Sequence, residues 1–95
     1  MYTLRKLQLE EGKDSLLPTG YTTKGEKLNL FDWETHKRKD IDNLNSVVVG
    51  WQVVLTSSLR DYHRTSKIRE IVKREPNRVV FKTQTSVYEL LEEKV

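Results

Sequence analysis

The stretch "HRTSKIREIVKREPNRVVFKTQTSVYELL", residues 63–91, decides the fold, because its first part is compatible with either a helix or a strand. Ile68, Ile71 and Val72 have helical spacing and lie among good helix formers. After them, "EPNR" at 75–78 places Pro at the second position of a tight turn, and the strand-forming "RVVFKTQTSVY" follows. Two extended runs joined by so short a turn are typical of a β-hairpin. We therefore predict a two-stranded ribbon with a β-bulge between Ile68 and Ile71, and keep a helix before the turn as the alternative.

Three more segments of the chain have the composition of strands. Residues 2–9, "YTLRKLQL", form the first, with a slip in the alternation near Lys6. Residues 27–33, "KLNLFDW", form a short one. Residues 46–58, "SVVVGWQVVLTSS", form the clearest, because β-branched residues predominate and apolar side chains alternate onto one face. The predicted core consists of Leu4, Leu7, Leu30, Val47, Val49, Trp51, Val53, Leu55, Ile68, Ile71, Val79, Phe81 and Val87.

The segments between these strands are predicted to be irregular. Residues 10–26 contain three glycines and a proline, which break regular elements and predict a long loop. Residues 34–45 are polar and basic, and predict a loop with at most one helical turn. The segment "YELLEEK" at 88–94 predicts a short helical turn. The predicted fold class is therefore all-β: a single domain spanning 1–95, with about five strands in an antiparallel meander or a partial barrel.

The size and composition of the chain set aside several classes of protein. Ninety-five residues suffice for one domain with a modest core. The chain has no cysteine, which excludes disulfide frameworks and thiolate metal sites. No apolar run approaches the ~18–20 residues that span a bilayer. The N-terminus lacks the apolar core of a secretory signal, so we expect a cytoplasmic protein without a membrane partner.

Positive charge is concentrated in one part of the chain. The formal net charge is +3, but residues 60–82 alone contain eight basic and three acidic residues. This excess favours either an anionic partner or a well-solvated face, and the composition does not decide between them.

Several residue combinations that resemble catalytic or metal sites lack the partners that the chemistry requires. Asp32, Glu34 and His36 share one face of an extended chain, but no second-shell partner accompanies them. His63 lies near serines and an aspartate without a nucleophile-elbow pattern, and no glycine-rich phosphate loop is present. We therefore predict a non-enzymatic protein with no catalytic residues, no metal site and no cofactor.

The strongest functional indication is a set of basic residues with aromatic neighbours. On an extended strand, alternate residues share a face, and Arg and Tyr side chains there bind phosphates and stack on bases. We define the basic strip as Arg60, Tyr62, Arg64 and, on an adjacent strand, Lys82. The basic loop consists of Lys37, Arg38 and Lys39, and Trp33 near it is a candidate exposed contact. The alternative is that the tyrosines are half-buried cross-strand partners and the bases only confer solubility.

The C-terminal half also carries a recurring pattern of strand residues. The segments "GWQVVLTSS" at 50–58, "RTSKIREI" at 64–71 and "VVFKTQTSVYEL" at 79–90 resemble a loose group of small, mostly uncharacterised proteins from phages, prophages and mobile elements. The resemblance covers less than half of the chain, and it implies a C-terminal β-meander and a mobile-element origin but no reaction. Leu59 and Lys67 depart from the group's pattern, because Gly or Pro is expected there near the turns.

Three functions follow as hypotheses. The first is a phage-type accessory protein that engages a host macromolecule or a defence component through its basic surface, with a host protein or an anionic ligand as the expected partner. The second is direct binding of nucleic acid through the basic strip. The third is a structural or assembly role, in which an exposed strand edge pairs with another copy to form a homo-oligomer. Salt dependence separates the second from the others, and mass in solution identifies the third.

Overall fold

Two antiparallel sheets make up the described part of the protein. The computed structural model describes residues 1–9, 16–57, 62–84 and 86–93, and these contain nine strands and one 3₁₀ turn. The strands are β1 (Tyr2–Leu9), β2 (Leu16–Gly25), β3 (Lys27–Asp32), β4 (Lys37–Ile41), β5 (Gln52–Thr56), β6 (Tyr62–Arg64), β7 (Glu70–Glu75), β8 (Arg78–Lys82) and β9 (Val87–Glu92), and the 3₁₀ turn is Leu44–Ser46. The large sheet has the order β2-β1-β9-β8-β7, and the small sheet has the order β4-β3-β5-β6. The all-β prediction is confirmed, but the chain has more strands than the five predicted and distributes them over two sheets.

The stretch that decides the fold forms a ribbon and not a helix. β7 pairs with β8 in antiparallel register up to Glu75 opposite Arg78, so the chain reverses at the predicted turn. The bulge predicted between Ile68 and Ile71 is wrong, because the shift in register lies between Ile71 and Lys73.

The helical spacing of the isoleucines has another cause, which is that the chain changes sheets between them. Ile68 belongs to a segment alongside β5, where its N–H donates to the Trp51 carbonyl at 2.9 Å. The next N–H, of Arg69, already donates to the Lys82 carbonyl of β8 at 2.7 Å. Ile68 and Ile71 therefore pack into one core from two different sheets.

The N-terminal hairpin contains one confirmed and one wrong prediction. The register of β1 against β2 shifts between Arg5 and Leu7, which confirms the slip predicted near Lys6. The loop predicted over residues 10–26 is wrong, because β2 begins within it. β2 is an edge strand, and an edge strand tolerates Pro18 because one side of it needs no hydrogen-bond donors.

Gly25 ends β2 at the point where the chain passes from the large sheet to the small one. A Cβ atom there would lie 2.7 Å from Leu55 Cγ and 2.8 Å from the Thr56 carbonyl oxygen, closer than atoms pack. The N–H of the next residue, Glu26, donates to the same Thr56 carbonyl at 2.9 Å. The glycine therefore permits two strands to cross closely instead of breaking one of them.

Two predictions for the middle of the chain are corrected. The loop predicted over residues 34–45 contains β4, a strand that is polar because it is an exposed edge. Its expected helical turn is present at Leu44–Ser46. The strand predicted over residues 46–58 is confined to β5, because Gly50 has a φ of +97°, outside the range of a strand.

The core lies between the two sheets and is largely the predicted one. The predicted residues that are buried are Leu4, Leu7, Leu30, Val47, Val53, Leu55, Ile68, Val79 and Phe81, and those that are half-buried are Trp51, Ile71 and Val87. Val49 is wrong, since its side chain is 53% exposed beside Gly50. The core also contains Tyr2, Leu28, Leu44 and Leu90, which were not predicted.

The C-terminal segment is a strand and not the predicted helical turn. β9 lies between β1 and β8 and pairs with both of them. It is the middle strand of the large sheet, and it joins the N-terminal hairpin of β1 and β2 to the hairpin of β7 and β8. Within the described residues, no helix is long and apolar enough to cross a membrane.

Candidate functional site

The outer face of the small sheet carries a groove of about 360 Å³, here called the sheet groove. Its lining residues are Asn29, Phe31, Arg38, Val54, Thr56, Tyr62 and Arg64, contributed by all four strands of that sheet. Side chains alternate between the two faces of a strand, so Leu28 and Leu30 of β3 face the core while Asn29 and Phe31 face the groove. A groove of this size suits one small, flat group such as a nucleobase with its sugar.

The strand register brings basic residues from two distant parts of the sequence to this groove. In β4, Arg38 lies opposite Phe31, while in β6 Tyr62 lies opposite Thr56 and Arg64 opposite Val54. Because β4 and β6 are three strand spacings apart and the register offsets the two arginines by two residues, their backbones are about 14 Å apart across the sheet and about 7 Å apart along it. One member of the basic loop and two members of the basic strip therefore flank the same half-buried floor.

Arg38 is held in place by a buried amide. Asn29 is only 4% exposed. Its amide oxygen faces the Arg38 donors, because only this orientation pairs each amide atom with a neighbour of the opposite hydrogen-bonding type. In that orientation Oδ1 accepts from Arg38 Nε at 3.1 Å and Nη2 at 2.6 Å, while Nδ2 donates to Asp40 Oδ1 at 2.9 Å. Arg38 Nε also lies 3.6 Å from Asp40 Oδ1. The guanidinium is thus oriented mainly by a neutral group, and its Nη1 has no hydrogen-bond partner among the described residues, which leaves those donors for a ligand.

Arg64 and Tyr62 form the opposite wall of the sheet groove. Tyr62 is 65% exposed, and Arg64 is exposed as well. Neither side chain forms an ion pair or hydrogen bond within the part of the chain that the structure describes. The Arg64 guanidinium and the Tyr62 ring thus lie exposed beside the half-buried Val54 and Thr56. This arrangement suits a ligand that carries a phosphate next to a flat ring.

The other residues predicted for this site lie elsewhere. Lys82 belongs to β8 of the large sheet, with Nζ 3.9 Å from Glu70 Oε2, so its predicted place beside Arg64 is wrong. The reason is that β8 pairs with β7 and β9 and not with β6. Lys37 and Lys39 alternate with Arg38 and point to the other face of β4. Arg60 lies outside the described residues.

Several of the basic side chains in residues 60–82 make intramolecular hydrogen bonds that stabilise the fold. The Arg74 guanidinium donates to the carbonyls of Leu44 and Val47, at 2.8 and 2.6 Å, and so ties β7 to the 3₁₀ turn. Arg78 Nε donates to Glu89 Oε2 at 2.5 Å. The charge excess of this segment is therefore not one continuous surface, and only part of it is available to a partner.

The predicted exposed aromatic, Trp33, lies on a second groove of about 700 Å³, here called the tryptophan groove. It is lined by Trp33, Glu34, Val49, Gly50, Gln52, Ser66, Lys67, Ile68, Arg69 and Gln84. Trp33 is 61% exposed and makes an edge contact with the ring of His36, at a centroid distance of 6.1 Å. The indole is thus both open to solvent and held by a neighbour.

The acidic residues of this turn form ion pairs with a lysine. Lys67 Nζ lies 3.0 Å from Glu34 Oε1 and 3.9 Å from Asp32 Oδ1. Burial alone would raise the pKa of Asp32, but hydrogen bonds from the Glu34 N–H and from Thr35, together with Lys67, hold that pKa below its ordinary value. Among the described residues, no three His, Asp or Glu side chains are grouped as ligands for a metal.

The residues that sequence reasoning missed are those of the groove floor. Phe31, Val54 and Thr56 were assigned to strands, but the outer face of the small sheet was not recognised as a surface. One signal was available in "LNLF", since a polar Asn29 between two core leucines must point away from the core.

No protein-family model matches the chain, and comparisons with curated proteins and with solved structures found no match. What the protein binds must therefore be inferred from its surface geometry.

Proposed function

We propose that this protein is a non-enzymatic binding protein that engages single-stranded nucleic acid through the sheet groove. The observation that carries the proposal is that Arg38, Tyr62 and Arg64, from separate strands, line one groove with a half-buried Phe31 on its floor. Arginines neutralise phosphates, and aromatic rings stack on bases whatever their identity. A small accessory protein of this kind is compatible with the mobile-element origin that the C-terminal resemblance implies.

Single strands fit this surface better than duplexes. In a duplex the bases face each other, so Tyr62 and Phe31 would have no base to stack on, and only phosphate contacts would remain. In a single strand an unstacked base can enter the groove between Arg38 and Arg64 while the neighbouring phosphates meet the two guanidinium groups. We expect affinity for single strands to exceed that for duplexes of the same length.

The first of the three hypotheses, a host protein or defence component as partner, is the second candidate. Lys37 and Lys39 favour it, because they are exposed on the face of β4 opposite the groove, where an acidic protein surface could meet them. Self-association through a strand edge is the third. Two of the four edge strands, β4 and β7, are rich in charged side chains, which is how sheets avoid pairing with copies of themselves, so self-association through either of them is disfavoured.

The test is fluorescence anisotropy with dye-labelled oligonucleotides at two salt concentrations. Neutralising two phosphates of a single strand gives a log–log salt slope of about −1.4, so affinity should fall about sevenfold between ~50 and ~200 mM salt. Arg64→Ala should weaken binding and reduce that slope by about 0.7. Lys24→Ala, which removes the same charge from an exposed position on β2, is the matched control and should change neither quantity.

Two outcomes would contradict the proposal. The first is no binding of either oligonucleotide at low salt, which would direct the search to acidic protein partners by co-purification. The second is binding that Lys24→Ala weakens as much as Arg64→Ala, because it would show attraction to net charge without a site. Mass in solution over a range of concentrations tests the self-association hypothesis separately.

A further inference from the structure

We infer that a single strand bound in the sheet groove continues into the tryptophan groove, where Trp33 stacks on a second base and Arg69 meets a further phosphate, beyond the two at Arg38 and Arg64. This inference rests on the proposed function. It adds a second subsite and a direction for the strand, from Tyr62 toward Trp33 along the small sheet.

The two grooves are continuous along the sheet. Phe31, on the floor of the sheet groove, pairs directly with Gln52, which lines the tryptophan groove. Trp33 follows Phe31 by two residues, at the end of β3. On β5, the distance from Thr56, the partner of Tyr62, to Gln52 is four residues, or about 13 Å. An extended ligand therefore passes from one groove to the other without leaving the surface of the small sheet.

The second groove repeats the chemistry of the first. In both, an exposed aromatic ring accompanies an exposed arginine that has no ion pair within the described residues: Tyr62 with Arg64, and Trp33 with Arg69. Lys67 does not serve this purpose, because Glu34 and Asp32 neutralise it. Arg69 is therefore the cation available to a phosphate in the tryptophan groove.

A buried polar atom in the wall of the tryptophan groove also points to a ligand. Gln52 is 9% exposed, and its Nε2 donates to the Thr65 carbonyl at 2.9 Å, which fixes the amide. Its Oε1 has no hydrogen-bond partner in the described part of the chain. Buried polar atoms are rarely left unpaired. Because Oε1 is buried, a nucleobase N–H reaches it only if the Gln52 side chain shifts toward the groove, and such a shift would supply the missing donor.

The walls around Trp33 are apolar on the side away from the ion pair. Val49 is 53% exposed there, next to Gly50 with its φ of +97°. Val49 and Trp33 both line this groove and give it exposed apolar surface against which a flat ring can pack. The neighbouring carboxylates would repel a phosphate, so the phosphate is expected at Arg69 and not at Lys67.

The experiment compares a short single strand with a long one, of roughly three and roughly nine nucleotides, since sites of this type cover about 4–16 nucleotides. Trp33→Ala and, separately, Arg69→Ala should leave the affinity for the short strand unchanged. Trp33→Ala should weaken binding of the long strand about 5- to 150-fold, the range found when a stacking aromatic is removed. Only the long strand should quench the tryptophan fluorescence that is lost in Trp33→Ala.

The outcomes separate this inference from the proposed function. If both strands bind with equal affinity and neither variant matters, the strand does not enter the tryptophan groove, but the sheet groove stands as the site. If Trp33→Ala weakens both strands equally, Trp33 acts at the first subsite and the inference is wrong. If neither strand binds, the proposed function itself fails. Circular dichroism of each variant establishes that the fold is intact, and Arg69→Ala tests the subsite without altering the Trp33 turn.

Discussion

The two sheets carry arginines on their outer faces and use them differently. On the large sheet, Arg78 and Arg5 converge on Glu89, with distances of 2.5 and 3.7 Å to its carboxylate, and Glu89 is only 8% exposed. On the small sheet, Arg64 forms no ion pair with any of the described residues, and Arg38 is oriented mainly by the neutral amide of Asn29. On the large sheet both arginines are thus held by one nearly buried carboxylate, whereas on the small sheet the closest contacts of Arg38 are to a neutral amide.

This difference explains why the number of basic residues in a segment does not by itself identify the proposed binding surface. A guanidinium that meets a buried carboxylate has lost its attraction for an outside anion and serves the fold. A guanidinium beside an apolar floor keeps that attraction and is displayed in a geometry that a ligand can use. The same residue type is therefore structural in one sheet and a candidate for binding in the other, and the variants below test that division.

The largest effect is expected for Glu89→Ala on the large sheet. It removes the carboxylate that two arginines share, and should cost about 2–3 kcal/mol of unfolding free energy, less than a fully buried pair because both arginines are partly exposed. Urea denaturation measures it. The control, Glu70→Ala, removes an exposed carboxylate 3.9 Å from Lys82 and should change the unfolding free energy by less than about 0.5 kcal/mol. Equal costs for the two variants would mean that the Glu89 cluster is no more structural than a surface pair.

The second comparison exchanges one arginine of each sheet for methionine. Arg74→Met loses the hydrogen bonds to the Leu44 and Val47 carbonyls, and should lower the unfolding free energy by about 1–2 kcal/mol, since the side chain is partly solvated. Arg64→Met should leave stability within about 0.5 kcal/mol and weaken binding to a single strand. Thermal denaturation and anisotropy of both variants measure the two effects. If Arg64→Met were the more destabilising of the two, Arg64 would have a structural role.

A smaller effect is expected when the neutral partner of Arg38 is given a charge. Asn29→Asp keeps an acceptor for the Arg38 guanidinium. The new carboxylate would be the second one beside Arg38, since Asp40 is already there. Affinity for a single strand should fall about fivefold, and the salt slope should decrease by about 0.7, because one phosphate contact is lost. Asn43→Asp is the control: it adds the same charge at the cap of the 3₁₀ turn and preserves the acceptor for the Ser46 N–H. An equal loss in the control would attribute the effect to net charge alone.

The all-β class and the turns within it were predictable because they depend on neighbouring residues. Pro76 and Asn77 set the turn between β7 and β8, and alternating apolar residues identified β1 and β5. Polar edge strands are harder to recognise, since β4 has solvent on both faces and shows no alternation of apolar residues. Pro18 was misleading for a similar reason, because it lies in the edge strand β2 and edge strands accept proline.

The composition of the site was only partly predictable, because it depends on which strands become neighbours. Lys82 is near Arg64 in the sequence, yet the chain changes sheets at Ile68 and Arg69 and separates them. Arg38 and Arg64 are far apart in the sequence, yet the order β4-β3-β5-β6 brings them to one groove. Periodicity indicates which face of a strand a residue occupies, but long-range pairing decides what that face meets.

The smallest effect concerns the pH dependence of the Trp33 turn. Hydrogen bonds from Glu34 and Thr35, with Lys67 nearby, overcome the effect of burial and keep the pKa of Asp32 lower in the folded protein than in the unfolded chain. Its stabilising contribution is therefore complete above an ordinary carboxyl pKa of about 4 and is lost as the pH falls through the lower folded value. Asp32→Asn should remove that part of the acid-dependent change in Trp33 fluorescence, while both proteins behave alike at neutral pH. A titration that is the same in wild type and Asp32→Asn would show that another group controls the turn.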